Sequence, residues 1–495
     1  MPARDDDVTR RRAPLDLSAG EFRAAGHHLV DQIADWLERL PHGPVMRDES
    51  PAAVRRVLDA DRTLPEQGAG AGALLDETAQ LLFEHSLFNG HPRFLGYITS
   101  SAAPIGALGD LLASAINPNV GAWRLAPLAT EIEAQTVRWI AELVGFPAGG
   151  DGLLVSGGNM ANFACVLAAR AAKAIDVRAT GLRDAPSALR LYASTETHTW
   201  IQKAADMFGL GTDAIRWIEV DREQRMQVAE LERRIVADRS DGSLPFLVVG
   251  TGGTVSTGAV DPLAEIADVC RRHDVWFHVD GAYGALAARV PGVPESLRAL
   301  SQADSVAVDP HKWLYVPLEA SCALVRRKGD LLRAFYYHPT YYHFDDEVTN
   351  YVDYGPQNSR GFRALKVWLA LRQVGRSGYE QMIAENIRLS ESLHELVCRH
   401  PDFEPLTQSL SITTFRYVPA RLRPTIGTPD GEEQLTRLNQ ELLSRVERSG
   451  EAFLSNAVVN GRFALRACIV NFRTSQADID ALLPLLSRLG ADLAS

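Results

Sequence analysis

Cysteine is scarce in this chain and follows no pattern. Cys165, Cys270, Cys322, Cys398 and Cys468 are scattered, odd in number and without a Cys-x-x-Cys spacing. That argues against a disulfide framework and against a zinc or other metal site, and makes a reducing cytoplasm the expected compartment. Long hydrophobic runs are missing too. No uninterrupted apolar stretch reaches the ~18–20 residues of a membrane span, and no signal peptide precedes the fold. Positive charge is in deficit: 51 Lys and Arg against 62 Asp and Glu leave a net charge of −11. No basic stripe alternates with aromatics, so neither nucleic acid nor a membrane is an expected partner. There is no internal repeat or low-complexity tract.

What is present is an ordinary globular composition, 46% hydrophobic and 23% charged, over 495 residues. Such a length buries large cores and suits two or three domains. The basic run Arg10-Arg11-Arg12 sits beside Asp5-Asp6-Asp7, and residues 1–15 read as a disordered tail. A capping box at Ser18…Glu21 then opens a helical pattern carrying Phe22, Leu29, Ile33, Trp36 and Leu37, stopped by Pro41 and Pro44. A second helical pattern covers about 73–88. Two apolar helix faces with no obvious cover make a partner subunit plausible.

From about 100 to 330 short β-branched runs alternate with amphipathic segments. The runs are Leu153-Val155, Leu191-Ala193, Ile215-Val220, Phe246-Val249, Val275-Val279, Ser305-Val308 and Ala323-Val325. The helical segments are 130–144 (opened by Thr130…Glu133 as a capping box), 158–173, 198–208 and 262–273. This alternation predicts an α/β fold, a mostly parallel sheet covered by helices on both faces. Ligands of such sheets bind beyond the carboxyl ends of the strands. The stretch 335–358, rich in tyrosine and weak in periodicity, reads as a lid. A linking helix over 361–374 and the boundary Gly375-Arg376-Ser377-Gly378 precede a smaller α+β domain with strand-like Ser411-Tyr417 and Phe463-Phe472.

The chemistry centres on Asp309-Pro310-His311-Lys312-Trp313, at the end of the run Ser305-Val308. About thirty residues upstream, Val275-Val279 ends in Asp280. A lysine and a carboxylate at the ends of two buried strands suit pyridoxal phosphate: the amine forms an imine with the cofactor aldehyde, and the carboxylate keeps the pyridine nitrogen protonated. Alone, Lys312 reads foremost as a surface lysine, and Asp280 equally as a cap or turn residue. Gly157-Gly158-Asn159, between a strand and the helix 158–173, is a credible phosphate cradle, although Gly-Gly is often only turn chemistry. It lacks a Walker lysine, so a nucleoside triphosphate has little support. Thr251-Gly252-Gly253-Thr254 is a second glycine-rich loop at a strand end. His198 follows the strand Leu191-Ala193, where an imidazole could stack on a pyridine face.

Taken together, Gly157-Gly158, His198, Thr254, His278-x-Asp280-x-Ala282-Tyr283 and Pro310-His311-Lys312-Trp313 resemble the group II pyridoxal phosphate decarboxylases. The resemblance runs from about residue 20 to about 400. It is strongest to the aromatic-L-amino-acid decarboxylases, through Glu21-Phe22-Arg23, His91-Pro92-Arg93-Phe94-Leu95-Gly96-Tyr97 and Phe362-Arg363-Ala364-Leu365-Lys366. It implies the fold of the PLP-dependent transferases (fold type I). A dimer-swapped arm would span 16–98, a cofactor-binding domain with the mobile lid 335–358 would span 99–375, and a small domain 376–495. It implies that Lys312 holds the cofactor as an imine, Asp280 pairs with the pyridine nitrogen and His198 stacks over the ring. Gly157, Gly158, Asn159, Thr254, Ala282 and His311 would complete the cofactor set, and Tyr97, Ile98, Ser100 and His198 would line the substrate. Tyr351 matches the lid tyrosine, whose phenol would protonate Cα after CO2 leaves; in aldehyde-forming relatives that position is commonly phenylalanine. The implied reaction is decarboxylation of an aromatic L-amino acid by a homodimer with its active site at the subunit interface, the lid and N-terminal arm contributing across it. Oxidative deamination to an aldehyde, glutamate or another non-aromatic substrate, and a non-catalytic relative are the alternatives. Two departures stand out. Asn159 replaces a small or hydroxyl residue, and Asp309 replaces a frequent asparagine. A carboxylate beside a phosphate is unfavourable, so Asp309 stays outside the expected phosphate set.

Overall fold

The computed structural model describes residues 13, 15–183, 185, 187–337 and 348–494. Residues 1–12 of the expected tail and 338–347 of the expected lid lie outside the described residues.

The apolar runs become a seven-stranded sheet. Its strands are β1 (Asp151–Val155), β2 (Leu189–Ser194), β3 (Ile215–Ile218), β4 (Leu244–Thr251), β5 (Trp276–Asp280), β6 (Ser305–Val308) and β7 (Ser321–Val325). They lie in the order β1-β7-β6-β5-β4-β2-β3. Only β7 runs against its neighbours, pairing antiparallel with both β1 and β6. The other six therefore point the same way, and their carboxyl ends share one edge. Every residue of β5, β6 and β7 is buried, as continuous β-branched runs under two helical layers require.

Helices form where the sequence periodicity placed them, with one correction. The segment expected to start with a Thr130…Glu133 capping box begins three residues earlier, as the helix Pro127–Val144. Pro127 starts it, because a first-turn proline needs no N–H partner. Thr130 and Glu133 are then inside the helix and buried, and Glu133 turns inward to Arg360. The Ser18–Glu21 capping box, by contrast, is present at the start of the helix Ala19–Arg39. This helix packs on Ala71–His85 through Trp36 and Phe83, stacked at 5.2 Å, yet it buries none of its own residues. The linking helix and its successor join into Ala364–Arg399, broken at Gly375, whose φ of 69° and ψ of 171° are non-helical.

A second sheet of β8 (Phe403–Ser409), β9 (Ile412–Tyr417), β10 (Ser455–Val459) and β11 (Arg462–Cys468) is wholly antiparallel, in the order β10-β11-β9-β8. The segment 94–97 is stitched to it: Leu95 N–H donates to the Phe453 carbonyl and Cys468 N–H to the Leu95 carbonyl. Residues 97 and 98 are thereby held between the two sheets. Among the described residues no helix is long and apolar enough to cross a membrane.

Candidate active site

Because six strands share a direction, the residues just beyond their ends converge. Thr251 ends β4 in register with Asp280, which ends β5. Asp309 follows β6, and the four-residue turn Pro310–Trp313 raises Lys312 from that edge. The turn after β1 leads into the helix Gly158–Lys173, and His198 follows β2. Together with Ile98, Asn162, Trp200, Gly253, Val255 and Tyr283, these elements line one cleft, into which Gly158, Asn159, His198, Asp280, Ala282, Asp309 and Lys312 all open.

Lys312 Nζ lies 3.0 Å from Asp309 Oδ2, with its side chain 19% exposed. Ser321 Oγ donates to Asp309 Oδ1 at 2.6 Å, and His311 Nε2 stands 3.7 Å from Oδ2. Asp309 also abuts the cradle, since a methyl group on Gly158 would meet its Oδ2 at 2.7 Å. The residue set aside on sequence grounds is thus the lysine's ion-pair partner. Its i,i+3 spacing to Lys312 on a short turn was the available signal. Ser321 ties one oxygen, although both face the cradle, at 2.7 and 3.1 Å from where a Cβ on Gly158 would stand.

Asp280 is buried, with Oδ1 accepting from Ala282 N–H at 3.2 Å and Oδ2 from Trp200 Nε1–H at 2.7 Å. His198 stands at the mouth of the cleft. The Trp200 backbone N–H donates to its Nδ1 at 3.3 Å, which leaves the ring proton on Nε2 when the imidazole is neutral. Desolvation by the surrounding protein pushes its pKa down and Lys312 adds to that, while Asp280 opposes it. The cradle begins at Gly157, whose φ of 84° suits a residue without Cβ, and the sixteen-residue helix behind it aims its positive end at the cleft.

Several expected residues sit at one remove. Gly157 shapes the turn but does not line the cleft. Thr254 is turned into its own loop, where its Oγ1 lies 3.0 Å from Thr257 Oγ1 and accepts from Ala259 N–H. Thr251 takes its place on the wall, with a buried Oγ1 that has no hydrogen-bond partner. His311 Nδ1 bonds the Ala320 carbonyl, and Ser100 Oγ donates to the His311 carbonyl at 2.8 Å, so Ser100 props the lysine turn and does not face a ligand. Tyr97 is 58% exposed beside Phe453, and Ile98 next to it lines the cleft.

The structure does not bring Tyr351 to this cleft. Its ring is buried under the Arg360 guanidinium, 4.7 Å away, and it lines a separate cavity near β1. The physical reason is local. Val352 N–H donates to the Gly121 carbonyl and Trp123 N–H to Asn350 Oδ1, which pins the turn against the chain's own core. The phenol is thus out of reach of its own chain's cleft, and Tyr351→Phe should leave the ratio of amine to aldehyde product unchanged. A rise in aldehyde would show that this turn swings out during turnover or serves the cleft of a partner subunit.

Sequence reading also missed an arginine. Arg466 on β11 is 2% exposed and donates through Nη1 to the Tyr97 carbonyl at 3.2 Å and to Ser455 Oγ at 2.9 Å. Its Nε and Nη2 are buried without partners. Tyr97 takes a left-handed φ of 49°, which turns its carbonyl toward this guanidinium. No local motif announces Arg466, because it reaches residues 97–98 from 369 positions away.

The residues fit pyridoxal phosphate. An amine, a carboxylate held by two donors, an imidazole at the mouth, a helix N-terminus and an orphaned buried hydroxyl at Thr251 face one cleft. Comparison with known proteins agrees. The pyridoxal-dependent decarboxylase conserved domain matches residues 51–418. An aromatic-L-amino-acid decarboxylase of Bacillus atrophaeus is 33% identical over 486 residues, 97% of this chain and 98% of the relative. Human cysteine sulfinic acid decarboxylase is 31% identical over 490 residues, 97% of this chain and 96% of the relative. The crystal structure of Oryza sativa TDC with PLP and tryptamine superposes with a TM-score of 0.90 at 26% identity, covering 98% of this chain and all of that one. The chain thus belongs to the pyridoxal-dependent decarboxylases, and is a PLP-dependent carboxy-lyase acting on an amino acid.

Proposed function

We propose that this enzyme decarboxylates an aromatic L-amino acid to its amine and CO2. The observation that carries the reading is the cleft wall. Beside the groups assigned to the cofactor and the polar Asn162, Thr251 and Asp309, it carries Ile98, Val255 and the rings of Trp200 and Tyr283, and Lys312 is its sole Lys or Arg among the described residues. These apolar groups suit a ring, and the lack of a second cation leaves a second substrate carboxylate unpaired. Pyridoxal phosphate, when bound, supplies the electron sink for the bond that breaks. Lys312 tethers it and takes or returns a proton at Nζ. Asp280 holds a proton at the pyridine nitrogen. Gly158 and Asn159 would hold the phosphate, with His311 supporting the lysine turn behind them, and His198 presents Nε2–H at the mouth of the cleft.

A second reading, an acidic L-amino acid such as cysteine sulfinate or glutamate, is favoured by Arg466. A buried guanidinium with two idle nitrogens next to Tyr97 could answer a side-chain anion. CO2 release measured across tyrosine, dopa, tryptophan, phenylalanine, cysteine sulfinate and glutamate decides between them. The aromatic reading requires turnover of a ring substrate at least ~10-fold above either acid, equivalent to about 1.4 kcal/mol. The reverse order, abolished by Arg466→Met, would establish the acidic one. Peroxide measured in the same assay tests the product, because stoichiometric peroxide would mean an aldehyde-forming reaction.

We infer that the enzyme works as a homodimer. The helix Pro104–Ile116 leaves Leu108, Leu111, Leu112 and Ile116 exposed, and Phe22, Val30 and Ile33 are exposed on Ala19–Arg39. Apolar surface of that extent is typical of an interface. Light scattering should give twice the 54.2 kDa chain mass. Leu111→Glu with Leu112→Glu should shift the protein to monomer and lower its activity; an unchanged dimer would place the interface elsewhere.

A further inference from the structure

Trp200 opens the helix Trp200–Met207 and is 1% exposed, although it lines the cleft. Through two different atoms it touches two of the groups assigned to the cofactor. Its backbone N–H donates to His198 Nδ1, and its indole Nε1–H donates to Asp280 Oδ2 at 2.7 Å. The basic groups that share the cleft with Asp280, Lys312 and His198, form no ion pair with it among the described residues. The ring of His278 meets the indole edge-on, with centroids 6.0 Å apart and planes at 87°. Both its nitrogens are occupied, Nδ1 by Ser305 Oγ at 2.9 Å and Nε2 by Asn162 Oδ1 at 2.7 Å. Asn162 Oδ1 can only accept, so a neutral His278 carries its proton on Nε2 and leaves Nδ1 to accept from Ser305. Burial holds that imidazole down at about 4, so it brings no positive charge to its neighbour.

An indole N–H can only donate. It therefore requires Asp280 Oδ2 to be an acceptor, and it fixes the carboxylate's rotamer. The backbone N–H of Ala282 does the same for Oδ1. We propose that Trp200 is a positioning residue for the decarboxylase: its indole N–H holds Asp280 as an oriented acceptor for the protonated nitrogen of the cofactor ring, a role that rests on the assignment of Asp280 given above. The indole acts through Asp280 and needs no contact with the substrate. Its loss should appear in kcat and cofactor affinity more than in KM.

A double-mutant cycle tests this, read by equilibrium dialysis of pyridoxal phosphate against apoprotein and by kcat and KM of the holoenzyme. Trp200→Phe keeps an aromatic ring and removes the donor. In the native background it should weaken cofactor binding about 10-fold, the size of one charge-assisted hydrogen bond. In the Asp280→Asn background the same change should cost less than about 2-fold, because the acceptor is already altered. Equal losses in both backgrounds, or none in either, would overturn the proposal and leave Trp200 a packing residue. Asp280→Asn binding the cofactor as tightly as the native protein would instead overturn the assignment of Asp280, and the proposal with it. If Trp200→Phe does not fold, Trp200→His, which restores a ring N–H, is compared with Trp200→Leu. Tighter cofactor binding by the histidine variant supports the proposal, and equal binding refutes it.

Discussion

Lys312→Ala is expected to abolish turnover, by at least ~10³-fold, and to remove the visible absorbance of the bound cofactor. The amine is the one lysine nitrogen that lines the cleft among the described residues. It is also half of an ion pair with a buried carboxylate, so two effects must be separated. Lys312→Arg separates them. It keeps a cation beside Asp309 but cannot form the imine, so the protein should fold like the native chain and stay inactive and colourless. Residual activity in Lys312→Arg within about 10-fold of native would contradict the assignment, because electrostatics alone would then suffice. Lys312→Ala should in addition lower stability, because Asp309, 2% exposed at its side chain, keeps Ser321 and the more distant His311 as its side-chain partners among the described residues.

Glu133→Gln should cost about 3–5 kcal/mol of stability, the usual penalty for removing one member of a fully buried ion pair. Glu133 and Arg360 are 0% and 1% exposed at their side chains, and both guanidinium Nη atoms donate to the carboxylate. The pair also clamps β1. Leu154 N–H donates to Glu133 Oε1 at 3.0 Å, and Arg360 Nη2 donates to the Leu154 carbonyl at 2.7 Å. Three residues beyond Leu154 the strand becomes the glycine turn of the phosphate cradle. The substitution should therefore loosen the cofactor as well as the fold. Denaturant unfolding of the apoprotein measures the first effect and cofactor dialysis the second. A stability change under about 1 kcal/mol would show that the clamp is replaceable by neutral hydrogen bonds. Replacing both partners with apolar residues, Glu133→Leu with Arg360→Met, should cost less than Glu133→Gln alone, since no charge is left buried.

The contrast between Lys312 and Arg466 shows where sequence reading works. Lys312, Asp280, His198 and the Gly157-Gly158 turn each follow an apolar run that is a strand, and parallel strands put all such ends at one edge. One-dimensional order was enough to assemble them. Arg466 and Trp200 carry no such label. Their value depends on a carbonyl 369 residues away and a carboxylate 80 residues away, respectively. The strands β8 and β10 escaped for a similar reason. In β8, Phe403–Ser409, Pro405 interrupts the pattern at a register shift, and the strand is recognisable only from its pairing with β9.

Three matters were decided by tertiary structure alone. Asp309, excluded because a carboxylate near a phosphate is unfavourable, is accommodated by an ion pair and a serine hydroxyl that burial brings together. Thr254, expected on the cofactor, is satisfied within its own loop, and Thr251 faces the cleft in its place. Tyr351, placed on a lid by its position in the chain, is held under Arg360 by a turn whose Val352 N–H donates to the Gly121 carbonyl and whose Asn350 Oδ1 accepts from Trp123 N–H, contacts that no local pattern encodes. What the sequence by itself determined was the α/β architecture, the cofactor and the lysine that binds it, because periodicity and strand-end position are properties of short stretches. Which donors complete the site was left to the packing of distant segments, because a hydrogen bond is satisfied by whatever the fold places within about 3 Å of it.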